Sequence, residues 1–200
     1  MNVLLVSPQT PDTFWSFKHV LRFVSKQSTF PPLGLLTVAA LLPRAWSLKV
    51  VDLNVARLRE EDLCRADVVM LSAMLVHEAS VREVVARCAA LGKRVVAGGP
   101  LFTTGHEAFP EIQHFVLGEA EELMPQLVAD LESGRLQKIY QAAHRPSLAL
   151  SPVPRWDLID LKPYVTMAVQ FSRGCPFDCE FCDIIVMNGR VPRTKSPAQV

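Results

Sequence analysis

The chain has 200 residues, a formal net charge of +1 and hydrophobic side chains at 50% of its positions, which is typical of one or two globular domains. The short basic run at 190–195 is interpreted as a solvated loop, so we expect no nucleic-acid partner. The opening apolar run is too short for a signal sequence or a membrane helix. We therefore expect a cytoplasmic protein without a transmembrane segment, in which clustered cysteines bind metals or act in redox chemistry.

Short apolar strands alternate with helical segments through the first part of the chain. Strands are predicted over residues 2–8, 48–54, 66–74, 94–100 and 114–121. Helices are predicted over residues 32–43, 78–92 and 120–134. Continuous apolar strands separated by helices imply a parallel sheet that is covered on both faces. With right-handed crossovers this becomes a doubly wound α/β domain of the Rossmann-like or flavodoxin-like kind.

Sheets of this kind bind ligands beyond the carboxyl ends of their strands. Here those ends carry SPQTPD, SAMLVHE, AGGPLF and LGEAEE, whose small side chains let a large flat ligand approach the backbone. The same sequences are also typical of ordinary βα turns. No G-x-G-x-x-G follows the first strand, so the main device for dinucleotide binding is missing, and the lack of a G-x4-G-K-S/T motif excludes a P-loop.

The composition changes after the predicted sheet. Residues 145–163 contain four prolines, which prevent a regular helix and indicate an extended linker. A strand is predicted over residues 165–174 and runs straight into a cysteine-rich loop. We therefore divide the chain into a ligand-binding domain over residues 1–140, a linker over 141–164 and the beginning of a second domain over 165–200.

Three of the five cysteines lie in this loop. Cys175, Cys179 and Cys182 are spaced C-x3-C-x2-C. A four-iron cluster that only transfers electrons takes four protein ligands, so three ligands leave one iron open to a substrate or cofactor.

A single zinc ion is the alternative occupant, and a closed zinc site requires four ligands. Asp183 or a distant histidine could supply the fourth. Cys64 and Cys88 lie in or beside predicted helices of the first domain and are interpreted as core thiols.

The motif Cys175-Pro-Phe-Asp-Cys179-Glu-Phe181-Cys182, preceded by QFSRG, resembles the signature of the radical S-adenosyl-L-methionine (SAM) superfamily. The resemblance implies that the three cysteines bind a [4Fe–4S] cluster whose open iron is chelated by the amino and carboxylate groups of SAM. It also implies that Phe181 lies near the adenine. An electron, supplied by a donor such as ferredoxin or flavodoxin, would release a 5′-deoxyadenosyl radical that abstracts hydrogen from the substrate.

The first domain resembles the cobalamin (B12)-binding class of that superfamily. The similar segments are VSPQTPDTFWSFKHVLRF, PPLGLLTVAALLP, VVAGGPLFT and HFVLGEAEE, together with the linker SPVPRWDLIDLKPY. Within the class, the loop motifs are most similar to the hopanoid C-2 methylase subgroup. The resemblance implies cobalamin contacts from backbone and small side chains at Pro8, Thr10, Ser72, Met74, Gly98, Gly99, Pro100, Gly118 and Glu119.

The sequence departs from the mutase type of cobalamin protein. That type supplies a histidine to cobalt from a D-x-H-x-x-G motif, which is missing here. We therefore expect cobalamin with a displaced tail and no histidine on cobalt. His77 follows the third predicted strand and is interpreted as a surface or packing residue.

The combined resemblance implies the N-terminal part of a cobalamin-dependent radical SAM methyltransferase. Methylcobalamin would donate a methyl group to an unactivated carbon of a small-molecule or lipid-like substrate. One strand and loop cannot bury a barrel core, so we expect a fragment with an incomplete radical SAM barrel and no activity by itself. The alternatives are a cobalamin-binding module with a vestigial cysteine motif, and a zinc-bound regulatory domain.

Overall fold

The computed structural model describes residues 1–13 and 16–200. Phe14 and Trp15, within the first segment that carries the cobalamin resemblance, lie outside the described residues. Six parallel strands form one sheet in the order β2-β1-β3-β4-β5-β6. The strands are β1 (Asn2–Ser7), β2 (Ser47–Asp52), β3 (Val68–Ser72), β4 (Arg94–Gly98), β5 (His114–Leu117) and β6 (Ile139–Gln141). The strand order confirms the predicted doubly wound, Rossmann-like fold and places its switch point between β1 and β3.

Helices cover both faces of this sheet. They are α1 (Lys18–Phe23), α2 (Leu33–Ala40), α3 (Glu60–Arg65), α4 (Glu78–Ala90), α5 (Pro100–Gly105), α6 (Met124–Ser133) and α7 (Ile184–Asn188). Two short strands, β7 (Ser172–Arg173) and β8 (Arg193–Thr194), pair antiparallel in a separate ribbon. Within residues 1–13 and 16–200, every helix falls short of the length and apolar character that crossing a bilayer requires.

Alternate residues of each strand point to opposite faces and build two separate cores. On one face Leu4 and Val6 belong to a cluster that includes buried residues of α4 and α5. On the other face Val3 and Leu5 belong to a cluster with buried residues of α2 and α6. Because both faces of the central strands are buried, those strands are continuously apolar in sequence.

The strand predicted over residues 165–174 is wrong for most of its length. Only Ser172–Arg173 (β7) is paired as a strand, and its partner is β8 rather than a parallel neighbour. A strand requires an adjacent strand to satisfy its backbone groups. Residues 167–171 belong to neither sheet of the described part of the chain, although the carbonyl of Phe171 accepts from the amide of Lys195. Four alternating apolar side chains of this segment are exposed: Val165, Met167, Val169 and Phe171.

Six of the helices and strands given above were not predicted, namely α1, α3, α5, α7, β6 and β8. Each is two to six residues long, too short to show a periodic apolar pattern. The interpretation of Cys64 as a core thiol is wrong, because Cys64 is exposed. Leu63 of the six-residue helix α3 faces the core. Cys64 lies about 100° further around the helix axis and therefore faces away from it. Cys88, by contrast, is fully buried, and burial raises the pKa of its thiol to about 11.

Candidate functional site

A cavity of about 300 Å³ opens at the carboxyl edge of the sheet. Six of the nine predicted cobalamin contacts line it: Ser72, Gly98, Gly99, Pro100, Gly118 and Glu119. The other three, Pro8, Thr10 and Met74, lie in the loops after β1 and β3, outside the lining of this cavity. The loops after β3, β4 and β5 therefore meet around one space, as the strand order requires.

The loop after β4 approaches the loop after β3 so closely that it requires glycine. Gly99 has a φ of +91°, and a Cβ atom there would lie 2.9 Å from the carbonyl oxygen of Ala73 and 3.0 Å from Oγ of Ser72. Thr103 joins the next loop, because its hydroxyl donates to the carbonyl of Gly99 at 3.0 Å and accepts from the amide of Gly118 at 3.0 Å. The three loops thus form a connected backbone surface with few side chains above it.

The inner part of the cavity is apolar and was not predicted from the sequence. It extends from the loops along one sheet face, beneath α2 and α6, and its lining there includes Leu35, Met70, Val96, Val116, Met124 and Leu127. These residues also belong to the core cluster of that face. Their apolar pattern indicated burial, but it did not indicate that the packing between them leaves a space.

His77 is a packed residue at the edge of the β3 loop, as interpreted from the sequence. It is buried, and its Nδ1 accepts the amide proton of Met74 at 3.2 Å. The ring proton is therefore on Nε2, which lies 3.2 Å from Oγ1 of Thr10 and donates to it. Burial lowers the pKa of His77, although the charge of Asp52 acts in the opposite direction. Both ring nitrogens of a neutral imidazole are thus already engaged within the protein.

The linker is fastened to the end of β2 by a buried hydrogen bond. The hydroxyl of Tyr164 donates to Oδ2 of Asp52 at 2.9 Å, and both residues are buried. Burial and the carboxylate of Asp52 together raise the pKa of Tyr164. Backbone contacts between Ser28 and Val165 and an isolated parallel bridge between Ser28 and Tyr164 continue the attachment.

Replacing Tyr164 with phenylalanine is expected to lower the free energy of unfolding by about 1–3 kcal/mol, because a buried carboxylate oxygen loses its donor. The matched control is Tyr140→Phe, since Tyr140 donates to Asp130, which is only partly buried and can be rehydrated. Urea unfolding of both variants measures the difference. Equal losses of unfolding free energy in the two variants would show that the hydrogen bond to buried Asp52 stabilises the fold no more than the bond to Asp130.

The three loop cysteines lie between β7 and α7. Cys175 and Cys182 are half-buried, Cys179 is exposed, and all three are free thiols. Within residues 1–13 and 16–200, no three His, Cys, Asp or Glu side chains come close enough together to hold one metal ion. A zinc ion and a four-iron cluster both need the three thiols to converge, so the loop would have to close around either one. Three thiolates are the donor set that a four-iron cluster with one open iron would use.

Phe181, the predicted neighbour of the SAM adenine, is 91% exposed. The side chain of Phe177 in the same loop is also exposed. An aromatic ring in open contact with water is available to stack on a flat ligand, but it makes no core contact that would fix its position.

A largely buried cluster of four charged side chains connects the cysteine loop to the sheet. Arg173 donates from Nη1 to Glu119 at 2.7 Å and from Nη2 to Glu121 at 2.7 Å. Arg193 donates from Nη1 to the same carboxylate of Glu119 at 3.0 Å, and its Nη2 contacts the second oxygen. Sequence reasoning missed both arginines. The sequence did contain an indication of these ion pairs, because two acidic residues follow β5 directly and arginines flank the cysteine motif.

The strength of the ion pair between Glu121 and Arg173 depends on pH. Burial alone would raise its pKa, but the hydrogen bonds and charge of Arg173 outweigh burial and hold the pKa below its ordinary value of 4.5. A carboxyl group whose pKa is lower in the folded chain than in the unfolded chain stabilises the fold at pH values above its ordinary pKa. That stabilisation is lost as the pH falls through the pKa of the folded chain.

We therefore expect the unfolding free energy to drop more steeply in the wild-type chain than in Glu121→Gln between neutral pH and about pH 3. Urea unfolding at a series of pH values gives the two curves. Parallel curves would mean that Glu121 does not titrate differently in the folded and unfolded chains.

The fold and the edge cavity together define a class of protein, the doubly wound α/β domain that binds a large ligand beyond its parallel strands. The B12 binding domain family matches residues 20–128, which is more than half of the chain. The chain belongs to this family, as the resemblance of its first domain predicted.

Similarity to known proteins extends over the whole chain. The chain is 44% identical over 205 residues to an uncharacterized methyltransferase of Synechocystis sp.. It is also 32% identical over 204 residues to the hopanoid C-2 methylase of Rhodopseudomonas palustris. Both alignments cover 100% of the chain, but only 38% and 39% of those proteins. The predicted resemblance to the hopanoid C-2 methylase is thereby confirmed.

A third relative carries a different name. The chain is 27% identical over 217 residues to the anaerobic magnesium-protoporphyrin IX monomethyl ester cyclase of Synechocystis sp., an alignment that covers 91% of the chain and 42% of the cyclase. The chain therefore spans about two fifths of the length of the curated relatives that it matches.

Proposed function

We propose that this chain is the N-terminal part of a cobalamin-dependent radical SAM methyltransferase. Residues 1–140 would bind cobalamin, 141–164 would form the linker and 165–200 would begin the radical SAM domain. One observation carries the proposal: a three-cysteine loop is held by buried ion pairs at the edge of a B12 binding domain. That arrangement puts the candidate cluster ligands beside the candidate cobalamin surface.

The carboxyl edge would hold the corrin ring. The backbone of Gly98, Gly99 and Gly118 and the small side chain of Ser72 give a surface that a flat ring can approach. Pro8, Thr10, Met74 and Pro100 would contact the ring or its side groups, while Glu119 would contribute from the rim. The apolar cavity beneath α2 and α6 would accept the displaced nucleotide tail.

No protein ligand to cobalt is proposed. His77 uses Nδ1 as an acceptor and Nε2 as a donor within its own loop, so binding a metal would cost both hydrogen bonds. The lower face of cobalt would therefore be free of histidine.

The cysteine loop would hold the second cofactor. Cys175, Cys179 and Cys182 would each bind one iron of a [4Fe–4S] cluster, and SAM would occupy the fourth iron with its adenine beside Phe181. With these groups bound, SAM supplies a 5′-deoxyadenosyl radical and methylcobalamin supplies the methyl group. The protein's own part is to fix the cysteine loop next to the sheet edge.

The reaction class is supported by the relatives, two of which are named as methyltransferases or methylases. A small-molecule or lipid-like substrate with an unactivated carbon, and a ferredoxin or flavodoxin as electron donor, are part of the same proposal. Five free thiols accord with a reducing compartment such as the cytoplasm.

Anaerobic loading of the purified chain tests the proposal. The chain is incubated with iron, sulfide and hydroxocobalamin, desalted and analysed for corrinoid, iron and zinc; reduced protein with SAM is then assayed for 5′-deoxyadenosine. Corrinoid together with an iron–sulfur spectrum supports the two sites, and 5′-deoxyadenosine, which the chain is not expected to form by itself, would in addition support the radical step. Corrinoid without iron would favour the stand-alone cobalamin module, and a chain that retains neither would overturn the proposal.

A further inference from the structure

Glu119 and Glu121 lie two residues apart in the loop after β5, and both carboxylates point to the cysteine segment, defined here as residues 172–194. Their side chains are 7% and 3% exposed, and those of Arg173 and Arg193 are 12% and 20% exposed. Two acidic and two basic groups thus leave no net charge. A buried ionic cluster is stable only when every charge is paired, so removing one member leaves another uncompensated.

The arginines stand at the two strands of the ribbon. Arg173 is in β7, two residues before Cys175, and Arg193 is in β8, after the loop and α7. Arg193 also donates to the carbonyls of Pro146 and Asn188, at 2.5 and 3.1 Å, and Arg173 donates to Gln170 at 2.8 Å. Arg193 therefore connects the cysteine segment, Pro146 and the loop after β5, and Arg173 connects Gln170 to the same loop.

The ribbon itself is tightly closed. Gly174 has a φ of +95°, and a Cβ atom there would lie 2.5 Å from the carbonyl oxygen of Val191. The amide of Cys175 donates to the carbonyl of Gly189 at 3.0 Å. Because Arg173 and Cys175 belong to this closed unit, fixing the arginine also fixes the base of the cysteine loop.

We infer that Glu119 and Glu121 are positioning residues: they act through Arg173 and Arg193 to fix the cysteine loop at a set distance from the sheet edge. This inference rests on the proposed function, in which that distance separates the corrin ring from the iron–sulfur cluster. Glu119 has the larger share, because its carboxylate receives both arginines, whereas that of Glu121 receives Arg173.

Amide hydrogen exchange of the purified 200-residue chain tests whether the two glutamates hold the cysteine segment in place. Glu119→Gln and Glu121→Gln are compared with Glu122→Gln, whose side chain belongs to the same loop but pairs with the exposed His144. In the first two variants, exchange across residues 172–194 is expected to accelerate by about tenfold or more, while β1 and β3 keep their wild-type rates. In Glu122→Gln both regions should stay within about twofold of wild type, because exposed ion pairs contribute little.

A second readout separates positioning from simple stabilisation. In chains loaded with cob(II)alamin and the reduced cluster, electron paramagnetic resonance measures the dipolar coupling between the two centres. The wild-type chain is expected to give one defined coupling, and Glu119→Gln a weakened and broadened one. Arg173→Lys keeps the charge but lacks the fork that reaches both carboxylates, so it should give an intermediate result even if the glutamine variants fold poorly.

Two results would overturn the inference. One is equal exchange in Glu119→Gln and Glu122→Gln; the other is an unchanged dipolar coupling despite faster exchange. If the chain binds neither centre, the proposed function fails, while the exchange rates still decide by themselves whether the two glutamates hold the cysteine segment.

Discussion

Replacing Cys179 with alanine is expected to reduce the iron retained after anaerobic reconstitution from about four atoms per chain to below one. The reason is the number of ligands: a cluster held by three thiolates has no protein group in reserve, and two cannot retain it on an exposed loop. Iron and sulfide analysis with the absorption spectrum measures the loss. Corrinoid binding should stay close to wild type, because the sheet edge is built by other residues.

The control for this experiment is Cys64→Ala. Cys64 is an exposed free thiol in the first domain, so it is open to adventitious iron in the same way as the loop. Cys88 needs no variant, because its buried thiol has a pKa of about 11 and is protonated at neutral pH. If Cys64→Ala loses as much iron as Cys179→Ala, or if the wild-type chain takes up one zinc instead, the cluster assignment is wrong.

Replacing Gly99 with alanine is expected to weaken cobalamin binding by about tenfold or more, and the unfolding free energy should fall by about 1–3 kcal/mol. The new methyl group would meet the carbonyl of Ala73 at 2.9 Å in a backbone conformation that alanine rarely adopts. The loop after β4 must then move away from the loop after β3, which disrupts the surface proposed to hold the corrin. Spectroscopic titration with hydroxocobalamin measures the change.

Gly105→Ala is the matched control, because Gly105 ends the helix that Gly99 precedes and a Cβ atom there meets open space. Its cobalamin affinity should match that of the wild-type chain. Comparable weakening in both variants would place the effect in α5 as a whole, and an unaffected Gly99→Ala variant would place the corrin elsewhere.

The sheet could be predicted because its information is local. The β1 sequence NVLLVS is apolar on both faces, and the burial of Val3, Leu4, Leu5 and Val6 shows why. Such runs separated by helices admit few parallel topologies, so the doubly wound class could be predicted, whereas the strand order was not. The glycine at position 99 was also visible, because a pair of glycines after an apolar strand indicates a turn with a close backbone approach.

The contacts across the site could not be predicted in the same way. Arg173 and Glu119 are 54 residues apart in sequence, and Tyr164 and Asp52 are 112 apart. Nothing local distinguishes these partners from the other charged and polar residues of the chain. The strand predicted over 165–174 shows the converse problem. Its alternating apolar pattern is clear, but a strand also needs a neighbouring strand, and the pattern does not show whether one is present.

Residues 165–171, which belong to neither sheet, have a practical consequence for handling the isolated chain. Val165, Met167, Val169 and Phe171 are 45, 53, 61 and 52% exposed, and they alternate as the apolar face of a strand does. An extended segment with such a face favours edge-to-edge association between molecules. Solubility should therefore be limited by these four side chains rather than by the well-packed sheet, and dilute, low-salt solutions should keep the chain monodisperse longest.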